Sequence, residues 1–294
     1  MGIKSKISNR LRTFTLDRHP NIFRPASSPF LSGDSIRSFS DYIFDEGKSL
    51  NPKNIKENDI VFLNTSLKEI FFNFYHPLIE KRYILITHNS DDSVNSSDFH
   101  YIDDKIIHWF AAKLNAEPNK KISPMAYGLE NRRYLKNGVK KNYTKILNSK
   151  SYLNKIDKVF CSFNTYSNPK VRFPLLQIAE EKEDLIDIRN YKFSKEYLDS
   201  LSKYKFNLCP EGNDFESHRI WESLIFRCTP ILISNQVNKN YYNIGIPLIL
   251  LDDWEDLRSM TINDLNKLNA VNEGKEFEKF SSLEFWQQRI KRYQ

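Results

Sequence analysis

Residues 204–234 read YKFNLCPEGNDFESHRIWESLIFRCTPILIS, and this stretch decides the expected fold. It begins with a short apolar run, KFNLC, and ends with another, TPILIS, each with the length and composition of a strand. Between them lie a polar loop and the segment SHRIWESLIFR, which has the apolar spacing of a helix. A strand, a helix and a further strand in succession predict a parallel pair joined by a crossover helix.

The same alternation extends outward from this stretch in both directions. The chain offers further strand-like runs at 59–64, 83–90, 158–163, 184–189 and 247–252. The segments between them have helical spacing, including SLKEIFFNFYHPLI in the first half and NPKVRFPLLQIAEE, a helix that we expect to break near Pro174. Strands that alternate with helices predict an α/β protein with doubly wound parallel sheets.

The length of the chain favours two domains. At 294 residues it exceeds the usual size of a single core, and the lysine-rich segment 137–158 has no clear strand. We interpret the end of that segment as a boundary between domains 1–155 and 156–294. The simplest assembly is two Rossmann-like domains that face each other across a cleft, with the last helix, SLEFWQQRIKRYQ, packing back on the first domain.

The composition is that of a globular protein without a membrane-spanning segment. Hydrophobic residues make up 40% of the chain, and no apolar run approaches the ~18 residues that a spanning helix needs. The first twenty residues are basic but lack the apolar core of a signal peptide, so the cytoplasm is the expected location. Three widely spaced cysteines, Cys161, Cys209 and Cys228, are expected to be reduced, packed thiols.

The formal net charge of +7 suggests an anionic partner. Nucleic acid, a phosphate-bearing substrate and an anionic membrane surface all fit that charge, and a coding bias toward lysine would produce it without any functional cause. The lysines are scattered and no nucleic-acid-binding motif is recognisable, so a basic nucleic-acid-binding protein is the weaker alternative.

The loop PEGNDFES, at 210–217, is the best candidate for a ligand site. In open α/β sheets ligands bind beyond the carboxyl ends of the strands, where free N–H groups at a helix N-terminus favour phosphate. Arg219 lies in the first turn of the following helix, and spacings of four and three residues put His218 and Arg219 on one edge with Glu222. An ordinary surface salt bridge would account for the same triplet.

This stretch resembles the nucleotide-sugar site of exostosin-type glycosyltransferases of the GT-B architecture and, more distantly, that of α1,3-fucosyltransferases. The resemblance rests on the strand KFNLCP, Glu211 in the loop, Arg219 and Glu222 on the helix, and the ending TPILIS. It implies that Arg219 binds the phosphates of a nucleotide sugar and that Glu222 binds the ribose. Blocks such as YILITHNSDDSV and ISPMAYGLEN are similar to blocks of bacterial members of this group, in the same order.

Other polar residues at strand ends are candidates for the same chemistry. His88 follows the strand YILIT among Asn89, Asp91 and Asp92, where a histidine could take a proton from an acceptor hydroxyl. Asp34 opens a predicted helix, as a catalytic carboxylate or as a helix N-cap. We therefore list His88, Asp34 and Asp92 as catalytic candidates. The donor-binding candidates are Arg172, Glu211, Asn213, His218, Arg219 and Glu222.

The sequence therefore predicts a glycosyltransferase that moves a sugar from a nucleotide sugar to a glycan or lipid-linked acceptor. By resemblance, the first domain binds the acceptor, the second binds the donor, and the setting is bacterial surface polysaccharide synthesis, with peripheral contact at the inner membrane face. The acidic pairs along the chain lack the spacing of metal ligands, so neither a metal nor another cofactor is expected. A non-catalytic nucleotide-sugar binder is the remaining alternative.

Overall fold

The fold is described from a computed structural model that covers residues 24–132, 137–191 and 194–294. Its main elements are two parallel sheets of five strands each. None of the helices in these ranges is both long and apolar enough to cross a bilayer. The predicted α/β class with two parallel sheets is confirmed.

The first sheet lies in the first half of the chain and its strands follow one another in chain order. It consists of β1 (Tyr42–Phe44), β2 (Ile60–Asn64), β3 (Tyr83–His88), β5 (Ile106–Ala112) and β7 (Ile122–Met125). A separate parallel pair is formed by β4 (Val94–Asn95) and β6 (Leu114–Asn115). All residues of β2 and β3 are buried, as expected for strands covered on both faces.

The second sheet has a reversal in its strand order. It consists of β8 (Ile156–Cys161), β9 (Ile186–Ile188), β10 (Tyr204–Leu208), β11 (Thr229–Ile233) and β12 (Ile249–Leu251). The spatial order is β12-β11-β10-β8-β9, and every pairing is parallel. The order therefore reverses between β8 and β10, which is the switch point where doubly wound sheets bind ligands.

The helices connect and cover these strands. The α-helices are α1 (Gly33–Phe39), α2 (Lys140–Ser149), α3 (Pro169–Glu181), α4 (Ser194–Leu201), α5 (His218–Ile225), α6 (Gln236–Asn243), α7 (Ile262–Asn269) and α8 (Leu283–Lys291). Short 3₁₀ helices span Pro52–Asn54, Ser96–Tyr101, Ser151–Leu153, Thr165–Ser167, Trp254–Arg258, Ala270–Asn272 and Glu278–Ser281.

The helix predicted at SLKEIFFNFYHPLI is a run of mixed helical turns. It passes from Thr65–Leu67 through Lys68–Ile70 and a π-turn at Phe71–Tyr75 to a final turn at His76–Leu78. Pro77 lacks an N–H group and cannot donate to the carbonyl four residues earlier, and the run ends one residue later at Leu78. The segment remains helical overall, with Phe71 and Phe72 buried beneath it.

The predicted break at Pro174 is wrong, because α3 continues through it. Proline removes the hydrogen bond to the carbonyl four residues earlier, which here belongs to Lys170. Both Lys170 and Pro174 lie on the exposed side of the helix, where water can satisfy that carbonyl.

The lysine-rich segment 137–158 is also more ordered than expected. It contains α2, and it ends in the first residues of β8. Tyr143 and Ile146 of α2 are buried in a core that also includes Phe30 from the first half and Trp221 from the second. The predicted division at 155/156 falls between α2 and β8, and it stays a prediction.

The last helix contacts residues of the first half. Ser282, just before α8, forms an isolated bridge with Phe30, and the ring of Tyr293, just after it, stacks on His108 at 3.9 Å between centroids. Cys161, Cys209 and Cys228 are free and buried.

Candidate functional site

A cleft of about 980 Å³ opens at the switch point of the second sheet. Its walls come from the loop after β8 and the loop between β10 and α5, which follow the two strands where the order reverses. The first half contributes Asp91, Lys113, Tyr127, Glu130 and Asn137. The cleft therefore lies between the two halves of the chain, at the carboxyl ends of parallel strands.

The beginning of α5 brings the predicted triplet to this cleft. His218, Arg219 and Glu222 all border it. Ser217 is the N-cap of α5, but its side chain makes no capping hydrogen bond to the N–H groups of the first turn. That turn therefore presents the positive end of the helix without a side-chain cap, an arrangement that favours an anion.

Arg219 is the cation nearest that helix terminus. Its Nε atom donates to the carbonyl oxygen of Ser162 at 3.0 Å, which anchors the guanidinium against the loop after β8. No residue of the described ranges accepts a hydrogen bond from its two Nη atoms. The forked end of Arg219 is thus available to a phosphate at the cleft.

Glu222 lies one turn further along α5 and is buried. Its Oε1 accepts a hydrogen bond from the hydroxyl of Tyr143 at 3.2 Å. Burial raises the pKa of Glu222, while the neighbouring Arg219 and His218 act in the opposite direction. A carboxyl held in this way can accept hydrogen bonds from the hydroxyls of a ligand.

Arg172, a donor-binding candidate, borders the cleft and hydrogen-bonds to its loops. Its side chain is buried, with Nε donating to the carbonyl of Glu211 at 2.8 Å and Nη1 to that of Asn164 at 2.7 Å. Nη2 lies 3.3 Å from the carbonyl of Pro210. The guanidinium ties the two loops of the cleft to each other, and the role of Arg172 toward a ligand stays a prediction.

The two candidates from the loop before α5 separate in space. Asn213 is exposed and borders the cleft. Glu211 is not among the residues that line it, and its Oε1 instead accepts a hydrogen bond from Asn235, the N-cap of α6, at 3.0 Å. Asn213 is therefore a residue of the cleft, whereas the side chain of Glu211 contacts the start of α6.

The surroundings of His88 argue against its predicted role as the base, which stays a prediction. His88 is 1% exposed, and its Nδ1 accepts a hydrogen bond from the backbone N–H of Asn89 at 2.8 Å. Its Nε2 faces the carbonyl of Ala126 at 3.2 Å. Burial lowers the pKa of His88 to about 4. Nε2 therefore carries the proton and donates it to Ala126, while the lone pair on Nδ1 accepts from Asn89, so no lone pair is left for an acceptor hydroxyl.

Asp34 and Asp92 also lie outside the cleft. The carboxylate of Asp34 is buried against Arg24, with 2.7 Å between its Oδ1 and Nη2 of Arg24. It does not cap α1, because Ser32 does so. Asp92 is exposed and its Oδ2 accepts a hydrogen bond from Ser90 at 2.9 Å. Its neighbour Asp91 borders the cleft and is 69% exposed at the side chain.

Several charged residues of the cleft were not predicted from the sequence, among them Lys113 and Glu216. The Nζ atom of Lys113 lies 3.1 Å from the carboxylate of Asp214 and 4.4 Å from the ring centroid of Tyr127. Glu216 is buried and accepts hydrogen bonds from the hydroxyl of Tyr241 and the indole of Trp221, both at 2.6 Å. Burial raises the pKa of Glu216 to about 7. The position of Glu216 next to Ser217 and His218 was the signal that could have revealed it.

No group of three histidine, cysteine or acidic side chains converges as metal ligands within the part of the chain that is described. Metal independence itself stays a prediction.

Comparison with known proteins gives partial likenesses. No protein-family model matches the chain. A probable glycosyltransferase of Arabidopsis thaliana is 27% identical over 107 residues, which are 36% of this chain and 21% of that protein. The chain thus spans about a fifth of the length of the plant relative that it matches.

Among solved structures, the chain is similar to the pneumococcal O-GlcNAc transferase GtfA in complex with UDP and GlcNAc. The identity is 12%, the TM-score is 0.42, and the match covers 82% of this chain and 58% of GtfA. It is also similar to α,α-trehalose 6-phosphate synthase from Burkholderia multivorans, at 8% identity and a TM-score of 0.41, over 82% of this chain and 71% of that one. At these TM-scores the two similarities give no information about the fold beyond the strand order of the sheets.

Proposed function

We propose that this protein transfers a sugar from a nucleotide-sugar donor to a hydroxyl group of a glycan or glycolipid. The observation that carries the proposal is the open guanidinium of Arg219 beside the buried carboxyl of Glu222, both at the switch-point cleft. The partial likeness to a probable plant glycosyltransferase and the resemblance of residues 204–234 to exostosin-type enzymes support it.

The donor would lie along the start of α5. Its diphosphate would bind the N–H groups of the uncapped first turn of the helix and the Nη atoms of Arg219. The partial positive charge of the helix N-terminus and the charge of the guanidinium would both stabilise the phosphates. Its ribose hydroxyls would donate to Glu222. Arg219 and Glu222, three residues apart on α5, would offer a cation to the diphosphate and a carboxylate to the ribose along one edge of the helix.

The reaction would break the bond between the anomeric carbon and the phosphate oxygen of the donor. Negative charge then develops on the departing diphosphate, and fixed positive groups stabilise it without reorganisation. Arg219 and the start of α5 would supply that charge in place of a divalent ion. The acceptor would approach from the side lined by Asp91 and Tyr127 of the first half.

A screen of nucleotide sugars by thermal unfolding tests the donor site. A ligand at about 100 times its dissociation constant adds ~2.7 kcal/mol to stability, which is a readily measured shift. We expect a nucleoside diphosphate and its sugar to stabilise the protein, with and without EDTA, and a single-stranded oligonucleotide to have no such effect. Stabilisation by the oligonucleotide alone would favour the nucleic-acid-binding alternative.

Sugar transfer to acceptors separates an enzyme from a non-catalytic binder. With the donor that the screen identifies, release of nucleoside diphosphate in the presence of simple glycosides is expected to exceed release in water. Binding without any release would favour the non-catalytic alternative. Activity that EDTA abolishes and a divalent ion restores would contradict metal independence.

We also propose peripheral contact with an anionic membrane, as a lipid-linked acceptor in surface polysaccharide synthesis would require. Ile70, Phe74 and Leu78 are 47%, 68% and 57% exposed, and they recur every four residues along the helical run 65–78. The turn Pro52–Asn54, which carries Lys53, packs against the end of that run. Apolar side chains beside a lysine suit insertion at an anionic lipid surface.

Vesicle sedimentation tests this contact. The protein should sediment with vesicles that contain phosphatidylglycerol and much less with phosphatidylcholine alone, and Phe74→Ser should reduce the bound fraction. Leu268→Ser is the matched control, since Leu268 is an exposed apolar residue of the other half, at 42% exposure. Equal loss in both variants would contradict a docking surface at 65–78.

A further inference from the structure

The ring of His218 is held in one tautomer by the opposite half of the chain. Its Nδ1 lies 2.7 Å from the carbonyl oxygen of Gly128. A carbonyl oxygen can only accept, so Nδ1 carries the proton in the neutral ring and Nε2 carries the lone pair. This is the reverse of the arrangement at His88, where the backbone uses both nitrogens.

The orientation of the ring is fixed as well. It stacks on Tyr127 with 5.1 Å between centroids and an interplanar angle of 24°. Tyr127 is itself held by its hydroxyl, which donates to the carbonyl of Ser90 at 3.3 Å. His218 borders the cleft, and no group in the described ranges hydrogen-bonds its Nε2. The oriented lone pair on Nε2 is therefore left without a hydrogen-bond partner in the described ranges, on a residue that borders the cleft.

We propose that Nε2 of His218 is the general base that accepts the proton of the acceptor hydroxyl. The proposal rests on the glycosyltransferase function proposed above. As the O–H bond breaks, the proton moves to Nε2 and the oxygen forms a bond to the anomeric carbon. The bond from that carbon to the phosphate oxygen breaks, and the nucleoside diphosphate leaves with the electron pair. Attack from the face opposite the leaving group inverts the anomeric configuration.

The charged groups around His218 favour a ring that is neutral before the reaction and can accept a proton during it. Burial, Lys113 and Arg219 lower the pKa of His218, so the ring is neutral before reaction, whereas Glu222 raises it. Once the proton has moved, the neighbouring carboxyl group of Glu222 can stabilise the imidazolium. The hydrogen bond to Gly128 persists in both protonation states, because Nδ1 donates in each.

Other titratable groups of the cleft are less well placed for this role. Glu216 already accepts hydrogen bonds from Tyr241, Trp221 and the backbone of Tyr127, and Asp214 is paired with Lys113. Asp91, Glu130 and Glu180 also border the cleft, and we test Asp91 because it lines the side from which the acceptor would approach, although Lys113 lies 3.5 Å from its carboxylate. A test must therefore distinguish His218 from Asp91.

The experiment compares His218→Ala, His218→Gln and Asp91→Asn with the unmodified protein, using the donor identified by stabilisation and its nucleoside diphosphate as probes. His100→Ala is the matched control, because His100 is exposed and outside the cleft. We expect both His218 variants to bind the nucleoside diphosphate within about threefold of the unmodified protein, and to transfer sugar ~10²- to 10⁴-fold more slowly. Free imidazole should partly restore transfer by His218→Ala, which loss of a structural contact alone would not allow.

The pH profile and the product configuration complete the test. For the unmodified protein, kcat/KM should fall on the acid side below the ordinary histidine value of 6.5, and His218→Gln should lack that fall. Near-normal transfer by His218→Ala, loss of diphosphate affinity, or retention of configuration would each overturn the base assignment while leaving the donor site intact. Absence of any nucleotide-sugar binding by the unmodified protein would overturn the proposed function and this inference together.

Discussion

Lys113 and Asp214 form an ion pair between the two halves of the chain, with 3.1 Å between Nζ and the carboxylate. Their side chains are 2% and 9% exposed. Lys113 lies just before β6, and Asp214 lies in the loop that leads to α5. The pair therefore ties the wall of the cleft to the loop that positions His218 and Arg219.

Breaking this pair should be costly. Lys113→Met leaves the carboxylate of Asp214 buried without its cation, which we expect to lower the free energy of unfolding by roughly 3 to 5 kcal/mol. The double variant Lys113→Met/Asp214→Asn should lose less unfolding free energy than the sum of the losses in the two single variants. Urea unfolding measures both. Arg82→Met is the control, because its ion pair with Glu57 is exposed and should contribute at most ~1 kcal/mol.

His88 should contribute to stability rather than to proton transfer. His88→Ala removes the partners of the Asn89 N–H and the Ala126 carbonyl and leaves a cavity, so we expect a loss of roughly 2 to 4 kcal/mol in unfolding free energy. His100→Ala should change stability by less than ~0.5 kcal/mol. Unchanged stability together with a large loss of turnover in His88→Ala would restore His88 as the base.

The same residue predicts a dependence of stability on pH. The pKa of His88 is lowered from 6.5 to about 4 in the folded protein, so the folded state disfavours its protonation. The contribution of neutral His88 to the free energy of unfolding is complete above pH 6.5 and is lost as the pH falls toward 4. For this shift in pKa the loss amounts to ~3 kcal/mol. Glu216, with its pKa raised to about 7, has the opposite effect, because the folded state favours its protonated form and stability falls as the pH rises toward 7.

The difference between the unmodified protein and His88→Gln separates these two effects. Urea midpoints at several pH values between 7.5 and 4 should converge for the two proteins as the pH falls, because only one of them has the histidine to protonate. Parallel curves over that range would contradict a depressed pKa at His88.

The strands could be predicted because each is a short apolar run between polar turns, as in residues 204–208 and 229–233. The expected break at Pro174 failed because a sequence does not show which carbonyls face water. The lysine-rich segment 137–158 concealed α2, although Tyr143 and Ile146 have helical spacing and are both buried.

At the site, the local spacing of α5 predicts one edge for His218, Arg219 and Glu222, and all three border the cleft. The fate of His88 could not be read in this way, because it depends on residues distant in sequence. The ring of Tyr127 covers it at 4.9 Å between centroids, and Gly33 packs so closely that an added Cβ would clash with Asn89 and His88.

Arg172 should affect donor binding without touching the donor. Arg172→Lys loses the fork that joins the carbonyls of Asn164 and Glu211, so both loops of the cleft should become more mobile. We expect weaker nucleoside diphosphate binding and faster amide hydrogen exchange in residues 164–167 and 210–214. Normal exchange with weakened binding would instead indicate that the charge of Arg172 acts on the ligand directly.

Arg219 should act on the donor directly. Its Nε is anchored to Ser162 while its Nη atoms have no acceptor in the described part of the chain, so Arg219→Ala removes a cation without disturbing a buried ion pair. We expect calorimetry to show a loss of ~1.5 to 3 kcal/mol in nucleoside diphosphate affinity, the range for a hydrogen bond to a charged group. Arg219→Lys should recover part of that loss, because it keeps the charge but not the fork. The nucleoside alone, which has no phosphate, should bind both variants and the unmodified protein equally. Unchanged diphosphate affinity in a folded Arg219→Ala protein would remove the phosphate contact on which the donor site depends.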